Sequence, residues 1–172
     1  PDHKNAPLHN SADARVTCTL CPHACRLGAG ETGFCRARAN IGGTIRPKNY
    51  GRVTSLALDP IEKKPLYHFH SGGFILSVGS FGCNLACPFC QNASIAMADA
   101  SIETENVSPA QLAALAEELR HQPRGNTGVA FTYNEPLVGY EYIMDTAPLL
   151  HAAGLKVVLV TNGMICTEPL TR

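Results

Sequence analysis

Net charge is the first thing this sequence lacks. Fourteen basic and fourteen acidic residues cancel across 172 positions, and charged residues make up only 16% of the chain. Bulk charge therefore gives no support for a broad nucleic-acid or anionic-membrane surface. No run of about 18 apolar residues occurs, so no ordinary transmembrane helix is expected. The opening PDHKNAPLHNSADARV has no apolar centre of the kind a secretory signal needs, and residues 1–17 read as a flexible leader. The chain begins with Pro rather than Met, which points to a processed, trimmed or fragmentary product. Internal repeats and low-complexity tracts are absent too. With 45% hydrophobic residues the composition is that of a globular protein.

Cysteine, by contrast, is abundant, at eight residues. Without a secretory signal the expected compartment is the cytoplasm, where disulfides are disfavoured and clustered cysteines serve as metal ligands or catalysts. Seven of the eight fall into two groups. Cys18, Cys21, Cys25 and Cys35 are spaced C-x₂-C-x₃-C-x₉-C, among Gly28, Gly30 and Gly33. Cys83, Cys87 and Cys90 are spaced C-x₃-C-x₂-C within GCNLACPFCQN.

The texture of the chain changes between these groups. Residues 18–70 form a cysteine-rich module with two short strand-like pieces, around GGTIRP and RVTSLAL, and no long helical period. From 71 onward, apolar strands alternate with helices. FILSVGS (74–80) has the continuous apolar character of a buried parallel strand. Ser108-Pro109-Ala110-Gln111 predicts a helix start, with Ser108 as N-cap, Pro109 in the first turn and Gln111 closing a capping box. Leu112, Leu115, Ala116 and Leu119 then supply one apolar face. TGVAFTY (127–133) and LKVVLVTNG (155–163) are the next strands. The helix expected between them ends at Gly154, with Pro148 predicted to kink or divide it. This alternation predicts an α/β fold with parallel strands. Three parallel strands leave open edges, so the chain is expected to be part of a longer polypeptide.

The three-cysteine loop follows the first of these strands, at its C-terminal end, where α/β barrels gather their chemistry. A closed zinc or iron–sulfur site takes four protein ligands. Three thiolates on a four-iron cubane would leave one iron open to a small molecule bearing an amine and a carboxylate, as S-adenosylmethionine does. A zinc site that recruits Cys166 or a histidine as a fourth ligand is the alternative at this point.

The surrounding motifs narrow the choice. CPHAC, GFC, DPIEKKPLYHF, GCNLACPFCQN, FTYNEP and VTNG, in that order, resemble the radical S-adenosylmethionine superfamily. Within it the chain is most similar to the AmmeMemoRadiSam-system radical enzymes, which are relatives of the pyruvate formate-lyase activating enzymes. The resemblance covers residues 18–163. It implies the first half of a radical SAM (β/α)₆ partial TIM barrel over 71–172, about three β/α units, preceded by the small Cys-rich module. It also implies a [4Fe-4S] cluster on Cys83, Cys87 and Cys90. The reduced cluster would cleave S-adenosylmethionine to a 5′-deoxyadenosyl radical, which abstracts hydrogen from an unidentified substrate such as a protein glycyl position.

By the same resemblance Phe89 would pack beside the adenine. Asn134 and Glu135 stand where the activating enzymes carry a Gly-Gly-Glu-Pro segment against the methionine amino group; here the sequence is YNEP, so Glu135 matches and Asn134 does not. Asn162 of TNG would lie near the cofactor carboxylate and ribose. Flavodoxin or ferredoxin would suit as reductant, a protein is a candidate substrate, and neither nucleic acid nor membrane is expected as a partner. A chain of this length is expected to bind a cluster but to turn over poorly or not at all.

The four N-terminal cysteines fit zinc or an auxiliary cluster equally well, and reduced thiols or disulfides remain as the plainer alternative. His68 and His70 would share one face if their segment were a strand. Glu62, Lys63 and Lys64 read as a solvated loop, with a substrate entrance as the alternative. Cys166 reads as a half-buried small residue. For the whole chain, the competing reading is a non-catalytic zinc-binding scaffold or interaction module.

Overall fold

The computed structural model describes residues 15–172, and its first third is built from short strands. β1 (Val16–Thr17) pairs antiparallel with β2 (Arg26–Leu27). β3 (Arg38–Ile41) and β4 (Thr44–Pro47) form a hairpin whose Gly42-Gly43 turn has both φ angles positive, the type I′ turn that suits strand twist. β5 (Arg52–Val53) follows, and then β6 (Ser55–Pro60). Most of the expected leader lies outside the described residues. Its last two positions do not behave as leader: Val16 and Thr17 pair with Leu27 and Arg26.

β7 (Phe74–Gly79) opens the alternating region. A short α1 (Ala93–Ala96) and β8 (Glu105–Asn106) precede α2 (Pro109–Arg120), β9 (Gly128–Phe131), α3 (Tyr140–Ala152), β10 (Lys156–Leu159) and α4 (Thr167–Leu170). The main sheet has the order β10-β9-β7-β6, with β7, β9 and β10 parallel and β6 antiparallel at the edge. The chain is thus a mixed α/β protein. The sheet crosses the boundary expected at residue 70, because β6 pairs with β7 along its whole length, from Ser55 opposite Gly79 to Pro60 opposite Phe74. A long-range antiparallel partner of this kind leaves no local trace that separates it from the preceding strands.

Both faces of the sheet are covered. On one face Leu76, Val78, Val129 and Phe131 pack against Leu112 and Ala116 of α2 and against Tyr142, Ile143 and Leu150 of α3. On the other, Ile75 and Ala130 pack with Ile61, Leu66 and Phe69. The capping box of α2 forms as expected: the Gln111 N–H donates to Ser108 Oγ at 3.3 Å, and Ser108 N–H donates to Gln111 Oε1 at 2.8 Å. Pro148 does not divide α3, which runs unbroken from Tyr140 to Ala152. The carbonyl it leaves without an amide donor belongs to Met144, a residue on the exposed side of the helix. The His68–His70 segment is a turn rather than a strand, with His70 at φ 50°, so the two rings do not share a strand face.

Candidate active site

The loops leaving β7, β9 and β10 meet at one end of the sheet. After β7, Phe81 is fully buried and anchors the three-cysteine loop, with the Arg52 guanidinium 5.0 Å from its ring centroid. Gly82 has φ +91°, and a Cβ there would lie 2.6 Å from the Cys35 carbonyl oxygen and 2.7 Å from Ala37 Cβ. Only glycine suits both the angle and the contact.

Asn84, 1% exposed, is the keystone of the loop. Its side-chain amide donates to Met164 O at 2.7 Å, its Oδ1 accepts from Asn162 Nδ2 at 2.9 Å, and its main-chain oxygen lies 2.8 Å from His23 Nε2. Cys83 Sγ accepts from the Leu85 N–H at 3.3 Å and from Asn162 Nδ2 at 3.9 Å. Burial pushes the Cys83 thiol up; the Leu85 N–H opposes this, while Glu135, Cys87 and Cys90 add to it electrostatically. All three cysteines are free and half-buried, and they share one neighbourhood. Phe89 is 85% exposed beside them.

Glu135, only 3% exposed, ties the next two loops together. Its Oε1 accepts from Leu137 N–H at 3.0 Å and Thr161 Oγ1 at 2.7 Å, and its Oε2 accepts from Asn162 N–H at 2.8 Å. A carboxylate offers about four lone-pair sites, so room for one more donor remains. Asn134 is placed differently. Its Oδ1 accepts from Ser80 N–H at 3.0 Å, while its Nδ2 faces the carbonyls of Gly82 at 3.0 Å, Glu135 at 3.2 Å and Phe81 at 3.3 Å. Both amide atoms hold the root of the three-cysteine loop. Glu135 and Asn162 therefore gather at Cys83, Asn134 holds the root of the loop, and Phe89 stands in solvent.

Two features are not legible in the motifs. Asp59 is buried and accepts from Lys64 Nζ and Lys63 Nζ at 2.9 Å each, from Ser77 Oγ at 2.9 Å and from Tyr133 OH at 2.8 Å. Burial alone would raise this carboxyl, but the two ammonium groups and two hydroxyls hold it well below the usual carboxylate range. Lys64, read from sequence as part of a solvated loop, is buried over the Tyr133 ring. Tyr133 itself takes φ +71°, a costly angle for a bulky residue, at about 1–3 kcal/mol. The DPIEKK spacing puts Lys63 and Lys64 within a turn of Asp59, and that was the available signal.

The second feature is Arg38. It is buried, and its guanidinium clamps Glu141 through Nη1 at 2.7 Å and Nη2 at 2.6 Å, with Nη1 also 3.2 Å from Val138 O. It fastens the cysteine-rich segment onto α3. Among the described residues, no three His, Cys, Asp or Glu side chains converge on one point as they stand. Cys166 is free and half-buried, and donates its main-chain N–H to Leu20 O at 2.9 Å.

Three half-buried thiols within eight residues of one loop, one of them bonded by the Leu85 N–H and the Asn162 amide, define an α/β protein with an open thiolate site at the end of a parallel sheet. The comparisons agree with that description. Residues 77–171 match the family described as the Radical SAM superfamily, and the chain belongs to it. Over 159 residues, 92% of its length, it is 40% identical to "Uncharacterized protein MJ0808" of Methanocaldococcus jannaschii. It spans about half of that relative, 46% of its length. No solved structure matches. Family membership implies an enzyme of this class, with a four-iron cluster and S-adenosylmethionine in general. The donor set fits that group, since Cys83, Cys87 and Cys90 supply thiolates from one loop and leave a position free. No helix among the described residues is long and apolar enough to cross a membrane.

Proposed function

We propose that this chain is the cluster- and cofactor-binding part of a radical enzyme related to the AmmeMemoRadiSam-system proteins and the glycyl-radical activating enzymes. Cys83, Cys87 and Cys90 would hold a [4Fe-4S] cluster, and S-adenosylmethionine would bind at its open position. When bound, that pair supplies one-electron cleavage of a carbon–sulfur bond and a carbon radical able to take hydrogen from an unreactive position. The single observation that carries the reading is that the loops after all three parallel strands are knitted around Cys83 by Glu135, Asn162 and Asn84.

Each residue then has work of its own. Asn134 fixes where the loop leaves β7. Glu135 holds the ends of β9 and β10 together and keeps a lone pair for an ammonium group. Asn162 sets the Cys83 sulfur and donates to Asn84. Phe89, exposed on the loop, would close over an adenine. The outer edge of β10 is unpaired among the described residues, with Leu159 and Val160 exposed. That edge supports a (β/α)₆ partial barrel continued by further strands, which would also carry the substrate pocket. A flavodoxin or ferredoxin would supply the electron, and a protein is a candidate substrate.

The test is anaerobic reconstitution with iron and sulfide, then electron paramagnetic resonance of the reduced sample with and without S-adenosylmethionine. A four-iron signal that changes on adding the cofactor is expected. Tight zinc on Cys83, Cys87 and Cys90 with no cluster would contradict the proposal and favour a non-catalytic scaffold.

A further inference from the structure

Cys18, Cys21, Cys25 and Cys35 have no part in the chemistry proposed above. They lie on the turn between β1 and β2 and on the turn before β3, and all four line one enclosed cavity. Leu20, His23, Leu27, Val138 and Arg38 are among the residues that share its wall. Its volume is about 10 Å³, near the least that accepts a single water.

We infer that these four thiols form a structural site for one tetrahedral metal ion, zinc by its donor set, and that this site braces the three-cysteine loop. The inference does not depend on the proposed radical chemistry. Four sulfurs with two short spacers are a closed donor set that suits zinc or iron–sulfur. Charge does not choose between them, because four thiolates leave a net dianion on Zn²⁺ and on an oxidised cubane alike. Volume favours zinc. A single ion is smaller than a water molecule, whereas a cubane brings eight atoms, and Leu20, Leu27 and Val138 are all buried.

An independent feature points to a buried anion at the same place. The Arg38 side chain is 8% exposed and lines the cavity. Its terminal nitrogens are taken by Glu141 and Val138, yet its Nε is buried without a partner. Cys18 lies within its electrostatic reach. A metal-bound thiolate there would give the orphaned N–H its acceptor, as a donor beyond the ligands commonly does. Main-chain N–H groups of Ala37 and Arg38 also face the Cys35 sulfur. The side chains do not converge as they stand, but each thiol swings on a single torsion while the backbone already wraps the cavity.

Three contacts carry the brace from this site to the three-cysteine loop. Gly82 sits against the Cys35 carbonyl, His23 bonds the Asn84 main chain, and Leu20 O accepts from Cys166 N–H just beyond the Asn162 loop.

The test uses the full chain carrying Cys83→Ser, Cys87→Ser and Cys90→Ser together, which leaves the N-terminal thiols intact. It is expressed with iron and zinc both in excess and purified without oxygen; zinc, iron and acid-labile sulfide are then counted, and zinc-edge X-ray absorption is recorded. About one zinc per chain, with four sulfurs at about 2.3 Å, is expected. Iron with matching sulfide at about four per chain, or no stoichiometric metal at all, overturns the inference. Amide exchange tests the brace on the same protein: chelating the zinc should speed exchange over residues 82–92 by roughly tenfold or more. Unchanged exchange there, with zinc demonstrably removed, would show that the site does not support the loop.

Discussion

Cys18 and Cys35 are buried, and their group lines a cavity walled by leucines, a valine and an arginine. Cys83, Cys87 and Cys90 are half-buried on a loop whose Phe89 stands in solvent. Both groups sit at turns, both place main-chain N–H groups near sulfur, and both approach the same stretch of backbone around Gly82. Closure is what separates them. Four thiols around a small, largely enclosed space suit holding alone, whereas three on an open rim can hold something and present it. On the proposed reading one chain would carry a fastening and a working site made of the same side chain, distinguished by ligand number and by what walls them in.

The sharpest way to break this comparison is to remove one open-site ligand. Cys83→Ala should abolish iron loading, to below about a tenth of wild type, while leaving the N-terminal metal in place. Iron and zinc counts on the same purified sample check both halves. Glu135→Gln comes next. All three of its partners are donors, so an amide nitrogen facing them leaves a buried donor unsatisfied and should cost about 1–3 kcal/mol in urea unfolding. It should also weaken S-adenosylmethionine binding to the reconstituted protein, measured by calorimetry.

A subtler difference concerns acid. The Asp59 carboxyl is depressed by Lys64, Lys63, Tyr133 and Ser77 against the opposing effect of burial. A depressed carboxyl contributes stability that is fully present above its unfolded value, about 3.9, and lost as pH falls through the folded one. Thermal melts from pH 6 downward should therefore show a loss beginning near pH 4, and Asp59→Asn should flatten that slope. The smallest expected effect is that of His23→Ala, which deletes the bond to Asn84. It should cost about 0.5–1.5 kcal/mol, keep the N-terminal metal, and lower cluster loading only in part.

How much of this could be read beforehand depended on sequence distance. The α2 cap needs only Ser108 and Gln111, three residues apart, and it forms as expected. The strands at 74, 128 and 156 declared themselves by continuous apolar runs. The three-cysteine motif was visible because its thiols lie within eight residues of one another. What escaped was built from remote partners: β6 against β7, Arg38 against Glu141, His23 against Asn84. Asn134 is the most instructive residue, because a motif position suggested a cofactor contact while its amide is engaged by Ser80, Gly82 and Glu135. Pro148 teaches the converse. A helix breaker leaves α3 unbroken where the residue whose carbonyl it deprives lies on the exposed side.

The measurement that tests the account most directly is a joint count of iron, sulfide and zinc on the intact chain, purified anaerobically and reconstituted with iron and sulfide in the presence of zinc. The account predicts about four irons, four sulfides and one zinc per chain. Iron in both cysteine groups, or zinc in both, would contradict the division between an open working site and a closed fastening.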